Sequence, residues 1–180
     1  MSAELPGEKL IFRDRREAGR LLAERLSCYQ GEEPIVLALP RGGVEVACEV
    51  ARALHAPLDL VVARKLGAPA QPEFAIGAVA PGGIRVLDVE ILSRLGISED
   101  DLEQVSALET REMERRARLF RGDGPETDTK GKTVILVDDG IATGMTVRAA
   151  IEHIRQQEPG RLVLAAAERS EVLDWVRTFL

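Results

Sequence analysis

Apolar residues follow two different rhythms along this chain. Between residues 12 and 29, Phe12, Ala18, Leu21, Leu22, Leu26 and Tyr29 recur at helical spacing with Arg and Glu between them. That spacing predicts an amphipathic helix with one buried face. Gly31-Glu-Glu-Pro34 breaks the rhythm, and Ile35-Val-Leu-Ala-Leu39 is apolar at every position. A short run with no polar face predicts a strand covered on both sides, as in a parallel sheet. Pro40-Arg41-Gly42-Gly43 interrupts it, a helical pattern resumes from Val44 to Leu54, and residues 58–63 read as a second strand. Residues 73–79 and 84–87, split by Pro81-Gly82-Gly83, predict a hairpin. Ser98-Glu-Asp-Asp101 predicts the capped start of a charged helix reaching Phe120. Arg111, Arg115, Arg116 and Arg118 in its last turns read as a C-terminal charge face, not a second phosphate site. A third buried strand (133–137), a helix (144–157), a fourth strand (161–166) and a closing helix (171–180) complete the pattern, with Trp175 and Phe179 expected to pack on the sheet.

Strands alternating with helices predict an α/β fold, a Rossmann-like parallel sheet of four to five strands flanked by helices. Residues 66–132 form an insert between the second and third core strands, carrying the hairpin and the long helix. At 180 residues the chain is expected to be a single domain, 1–180. In open parallel sheets ligands bind beyond the carboxyl ends of the strands. Both unusual loops, 40–43 and 138–146, fall at such ends.

Composition narrows the function. The charge sum, 24 − 30 = −6, argues against a nucleic-acid partner held by phosphate neutralisation. Apolar runs fall far short of the ~20 residues of a membrane helix, and the N-terminus shows no apolar signal region. A reducing cytoplasm and no membrane partner are expected. Cys28 and Cys48 lack C-x-x-C spacing and are expected to be small core residues; His55 and His153 are expected at the surface of helices.

The chemistry concentrates in Val134-Ile-Leu-Val-Asp-Asp-Gly-Ile-Ala-Thr-Gly-Met-Thr146. A buried strand ends in two acids, a loop of small residues follows, and a helix begins. Small residues admit a ligand close to the main chain, and a helix N-terminus offers unpaired N–H groups and about half a positive charge. Thr143 and Thr146 add hydroxyls. This is a cradle for an anion, most naturally a phosphate. Asp138 and Asp139 would repel a bare phosphate, but they suit sugar hydroxyls or a divalent cation and its waters. A ribose 5-phosphate group meets both demands. The motif has neither the Lys of G-x-x-x-x-G-K-[ST] nor G-x-G-x-x-G. The plainer reading is an Asp-Gly turn leading into a helix capped by Thr143.

This stretch resembles the phosphoribosyl-diphosphate (PRPP) signature of the phosphoribosyltransferases. That signature is an apolar strand, two acids and a small-residue loop ending Thr-Gly-x-Thr. Gly140 departs from it, since many members carry an aliphatic residue there. Phe12-Arg-Asp-Arg15, Ala38-Leu-Pro-Arg-Gly-Gly-Val44, Arg64-Lys-Leu-Gly67 and Pro72-Glu-Phe-Ala-Ile-Gly-Ala-Val79 resemble the uncharacterised "predicted phosphoribosyltransferase" branch. The resemblance implies the type I fold of that family and transfer of ribose 5-phosphate from PRPP to a nitrogenous, nucleobase-like acceptor with release of pyrophosphate. That places the chain among the glycosyltransferases of nucleotide and nucleoside metabolism, with Mg²⁺ as cofactor and a homo-oligomer such as a dimer as one option.

The resemblance also implies roles. Asp138 and Asp139 bind ribose hydroxyls, directly or through Mg-bound water. Gly140, Ile141, Ala142, Thr143, Gly144, Met145 and Thr146 hold the 5′-phosphate. Arg41, with Gly42 and Gly43, binds pyrophosphate, often through a non-proline cis peptide. Lys65, and more weakly Arg64, neutralises the leaving group from the end of the second strand. Residues 69–83 supply a mobile hairpin that excludes water, with no known role for Glu73. In the 6-oxopurine enzymes the position of Ala142 holds an Asp that acts on the base, so hypoxanthine and guanine are not expected as acceptors. Branch members continue beyond the fourth strand into part of a hood, which this sequence is expected to have reduced or lost. A PRPP- or nucleotide-sensing regulator without catalysis is the alternative, and a hydrolase on the same fold a third.

Overall fold

The computed structural model describes residues 13–122 and 124–167. Helix α1 (Arg15–Leu26) is capped by Asp14, whose side chain accepts from the Glu17 N–H. It is shorter than the predicted 12–29 helix: Ser27–Glu32 tightens into a 3₁₀ turn carrying Tyr29, while Phe12 lies outside the described residues. Strand β1 (Ile35–Ala38) is wholly buried, and α2 (Gly42–Leu54) follows. β2 (Leu58–Leu60) stops short of the predicted residue 63. Only the Val61 N–H still bonds back, to the Ala38 carbonyl.

The chain then turns into a second sheet. β3 (Arg64–Ala68), β4 (Gln71–Ala80) and β5 (Ile84–Leu87) form an antiparallel meander in that order. The predicted hairpin is its β4–β5 half, closed by a 3₁₀ turn at Pro81–Gly83. A short helix α3 (Val89–Leu95), which the sequence pattern did not predict, precedes α4 (Glu99–Arg121). α4 opens with the expected capping box between Ser98 and Asp101. Its arginines pair along the helix, Arg115 and Arg116 with Glu112, as a charge face should. Arg121 instead reaches back to Asp59 and the Leu60 carbonyl, pinning α4 to β2.

β6 (Thr133–Asp138), α5 (Met145–Gln156) and β7 (Arg161–Ala166) complete the described elements. The main sheet is parallel, in the order β2-β1-β6-β7, which bears out the α/β architecture with four strands. Alternate side chains serve opposite layers. Val36, Ala38, Ile135 and Val137 meet α1 and α2, whereas Ile35, Leu37, Val134 and Leu136 meet α5. The predicted closing helix with Trp175 and Phe179, and the C-terminal hood, lie outside the described residues.

Two expectations are corrected. His153 is buried, not at the surface: one ring nitrogen lies 3.1 Å from the Pro81 carbonyl and the other 3.0 Å from Glu126. It ties α5 to the β4–β5 turn. Cys28 is exposed on the 3₁₀ turn, and Cys48 is half-buried. The expected hairpin, residues 69–83, is anchored at its inner end. Ala78, Ala80, Ile84 and Val86 pack against Ala149 of α5, and only the outer part of β4, Gln71 to Phe74, is exposed.

Candidate active site

The strand order sets where the site forms. From β1 the chain crosses through α2 to β2 on one side, and from β6 through α5 to β7 on the other. The crossovers diverge between β1 and β6, and in open parallel sheets the ligand crevice forms at the carboxyl ends of the strands at such a point. β1 and β6 are paired in register, Ala38 opposite Val137, and the Leu39 N–H bonds the Val137 carbonyl at 2.9 Å. Loops 39–43 and 138–146 therefore leave the sheet side by side. The sequence placed them at two strand ends; the topology makes those ends neighbours.

Both helices that start from these loops lack side-chain caps. The residues flanking their starts, Arg41 before α2 and Gly144 before α5, make no side-chain bond to the first turn, whereas Asp14, Asp88 and Ser98 cap α1, α3 and α4. Thr143 does not cap α5, which corrects the plainer reading of the motif. The Val44 N–H donates to the Arg41 carbonyl at 3.2 Å, but no side chain caps the first-turn N–H groups of α2 and α5, and each helix dipole adds partial positive charge. Two such N-termini at one crevice suit a ligand with two anionic groups. Gly144, at φ 74°, turns the chain into α5 in a backbone region that favours glycine. Thr143 is exposed and Thr146 half-buried. Ile141 is buried in the core and Met145 packs toward the second sheet, so these two offer main chain, not side chain, to the crevice.

The Pro40–Arg41 peptide is cis, and Arg41 is exposed with no ion pair among the described residues. Gly42 and Gly43 are close-approach positions. A Cβ on Gly42 would sit 1.9 Å from Asp139 Oδ2, and one on Gly43 would sit 2.8 Å from the Val137 carbonyl oxygen. The Asp139 carboxylate thus lies directly against the 40–43 loop.

The two acids are not equivalent. Burial, and then the neighbouring charge of Asp139, push the Asp138 carboxyl up to about 7. Its Oδ1 accepts the Asp139 N–H at 2.9 Å. Asp139 instead meets Arg15, whose Nε and Nη2 both lie 2.8 Å from Oδ2. Arg15 was legible only as part of a matching stretch. A physical signal was nonetheless present: a cation in the first turn of a helix opposes the helix dipole, so it needs a partner elsewhere.

Arg64 and Lys65 do not end the second core strand as expected; they open β3. Arg64 pairs with Glu109 of α4 at 2.7 Å. Lys65 Nζ donates to the Glu73 carbonyl at 3.0 Å and lies 3.1 Å from its carboxylate. The structure joins Asp138, Asp139, Gly42, Gly43 and Arg15 by direct contact and sets the 141–146 and Arg41 main chain beside them, but it does not bring Lys65 to the acids. Among the described residues, no group of three or more His, Cys, Asp or Glu side chains gathers as a metal cage, and no helix is long and apolar enough to cross a membrane.

The model of the phosphoribosyl transferase domain matches residues 14–177. Protein Rv0571c of Mycobacterium tuberculosis, a candidate phosphoribosyl transferase by name, is 44% identical over 155 residues, 86% of this chain. The match takes in 35% of Rv0571c, so the chain spans about a third of the length of that curated relative. The crystal structure of TT1426 from Thermus thermophilus superimposes with a TM-score of 0.70 at 39% identity, covering 94% of this chain and 90% of that one. A pyrimidine operon regulatory protein of Lactococcus lactis is 37% identical over 92 residues, 46% of this chain and 51% of that protein.

Proposed function

This chain belongs to the phosphoribosyl transferase domain family, and from that premise we propose that it transfers ribose 5-phosphate from PRPP to a nitrogenous acceptor, releasing pyrophosphate. One observation carries the reading. Two uncapped helix N-termini and a pair of adjacent acids meet at a single crevice. PRPP has a phosphate for one N-terminus, a diphosphate for the other and a diol for the acids between them.

In this reading the 141–146 amides and the Thr143 and Thr146 hydroxyls hold the 5′-phosphate. Asp138 and Asp139 accept from the ribose hydroxyls. Arg41 and the 42–43 amides take the diphosphate, Arg41 as a planar two-pronged donor. Lys65 is assigned the same charge once it exchanges Glu73 for the ligand. The C1–O bond to diphosphate breaks and a C1–N bond to the acceptor forms. Positioning and preorganised donors supply the catalysis, with no covalent intermediate on the protein.

Mg²⁺ fits the donor set. Two adjacent carboxylates suit a cation that keeps most of its waters and takes its remaining oxygens from a phosphorylated ligand. Asp138 and Asp139 would hold it, and it would supply charge neutralisation on the diphosphate. Ala142 carries no group to act on a 6-oxopurine, so hypoxanthine and guanine are not acceptors. Pyrophosphate release from PRPP with Mg²⁺ and a panel of nucleobases tests this. Release that requires a base other than those two is expected; turnover of either would contradict the acceptor assignment.

A second reading has its own support. The likeness to a pyrimidine operon regulatory protein favours a PRPP- or nucleotide-sensing role for the same crevice. PRPP binding with no pyrophosphate release for any base would favour it over transfer. Release without any base would instead indicate hydrolysis.

A further inference from the structure

Gly19 lets α1 lie unusually close to α2. A Cβ there would sit 2.8 Å from both the Glu49 Cβ and the Val46 carbonyl oxygen. Ala23 and Leu26 of α1 are buried with Val46, Ala47 and Val50 of α2, so the two helices are locked together by their apolar faces. The start of α1 is thereby held over the carboxyl end of the main sheet. Asp14 fixes the first turn by accepting from the Glu17 N–H at 2.8 Å. Arg15 is the next residue.

From that position Arg15 crosses 124 residues of sequence to reach Asp139. Both donor nitrogens converge on Oδ2, the carboxylate oxygen nearer to Gly42. The guanidinium therefore restrains the rotation of the carboxylate and leaves Oδ1 outside its grip. It also sets a positive charge beside one of two adjacent acids, which would otherwise repel each other at the point where a diol or a hydrated cation must be received. Arg15 is itself 55% exposed, so packing does not account for the contact. A first-turn arginine opposes the dipole of its own helix, so the local secondary structure does not account for it either.

We propose that Arg15 is a positioning residue of the sugar-diphosphate site, which holds Asp139 by Oδ2 so that Oδ1 is aimed at the ribose hydroxyls or at cation-bound water. The inference rests on the PRPP reading of the same crevice. Arg15 acts through Asp139 and touches neither reacting atom. Loss of a partner that orients a liganding carboxylate commonly weakens binding on the order of tenfold to a hundredfold.

Calorimetric titration of the full chain with PRPP and Mg²⁺ tests it. The variants are Arg15→Met, Arg15→Lys, Asp139→Asn and the Arg15→Met/Asp139→Asn pair. Arg15→Met is expected to raise Kd about tenfold or more with the melting temperature unchanged. Arg15→Lys is expected to recover little, because a single ammonium cannot fix the rotation that two guanidinium nitrogens fix. The paired variant is expected to bind no more weakly than Asp139→Asn alone, since Arg15 acts only through that carboxylate. Unchanged affinity in Arg15→Met, full recovery by Lys, or additive losses in the pair would each overturn the proposal while wild-type binding stands. Absence of PRPP binding by the wild-type chain would overturn the functional reading and this inference with it.

Discussion

Asp138 shows how a buried acid can weigh against stability. Its carboxyl is pushed up to about 7 from 3.8, by burial first and the Asp139 charge second. The folded chain therefore keeps a proton there that the unfolded chain releases at lower pH. The resulting stability is fully present below 3.8 and is lost as pH rises toward about 7. Asp138→Asn is uncharged throughout and escapes that loss. Thermal melts should show the Asn variant more stable than wild type above about pH 7, with the gap closing as the pH falls toward about 4. A gap that does not change with pH would place Asp138 in water. Gly42 makes the complementary point. Gly42→Ala puts a methyl group where Asp139 Oδ2 lies, 1.9 Å from the ideal Cβ. The obstacle is the end of a side chain, so the fold should survive. The displaced carboxylate should cost on the order of tenfold or more in PRPP affinity, since misplacement by about 1 Å can cost a hundredfold. An unchanged Kd by calorimetry would separate Asp139 from the ligand.

At the scale of elements, side-chain caps divide the helices by task. Ser98 and Asp101 form a capping box at the start of α4, outside the 40–43 and 138–146 loops. Ser98→Ala should cost about 1 kcal/mol in denaturant unfolding and leave PRPP affinity untouched. A change in affinity would mean that α4 is coupled to the site. The same elements show what the sequence could disclose. β1 and β6 were legible because runs such as Ile35 to Leu39 have no polar face, and only a strand between two layers buries such a run. α4 was legible from its cap. β3 was not, because Arg64 and Lys65 read as the charged end of β2; their partners, Glu109 and Glu73, lie on elements that only the fold brings near. α3 was missed because it is only seven residues long and Val89 and Leu95 are exposed, so Ile91 and Leu92, half-buried against the core, are too few to set a helical rhythm. His153 was misplaced for a related reason. Its burial depends on Pro81 and Glu126, which nothing in α5 itself reveals. The contact of Arg15 with Asp139 was equally hidden by its distance along the chain.

At the scale of the molecule, the strand order matters more than any single residue. The motif at 138–146 has the residue types expected of a sugar-phosphate cradle, but the sequence leaves open whether the 40–43 loop faces it. The order β2-β1-β6-β7 makes the two loops neighbours at the point where the crossovers diverge. The second sheet packs on α5 and leaves the outer end of β4, Gln71 to Phe74, exposed. A net charge of −6 fits a small phosphorylated ligand neutralised locally better than a nucleic acid held over a wide surface. The central claim is that one PRPP spans both helix N-termini with its ribose on the two acids. Calorimetric titration of PRPP with Mg²⁺ into the wild-type chain and into Asp138→Asn/Asp139→Asn tests it directly. One PRPP per chain for wild type, and loss of binding in a double variant that still melts cooperatively, is the predicted result. Equal affinity in the two proteins, or no binding by wild type, would contradict it.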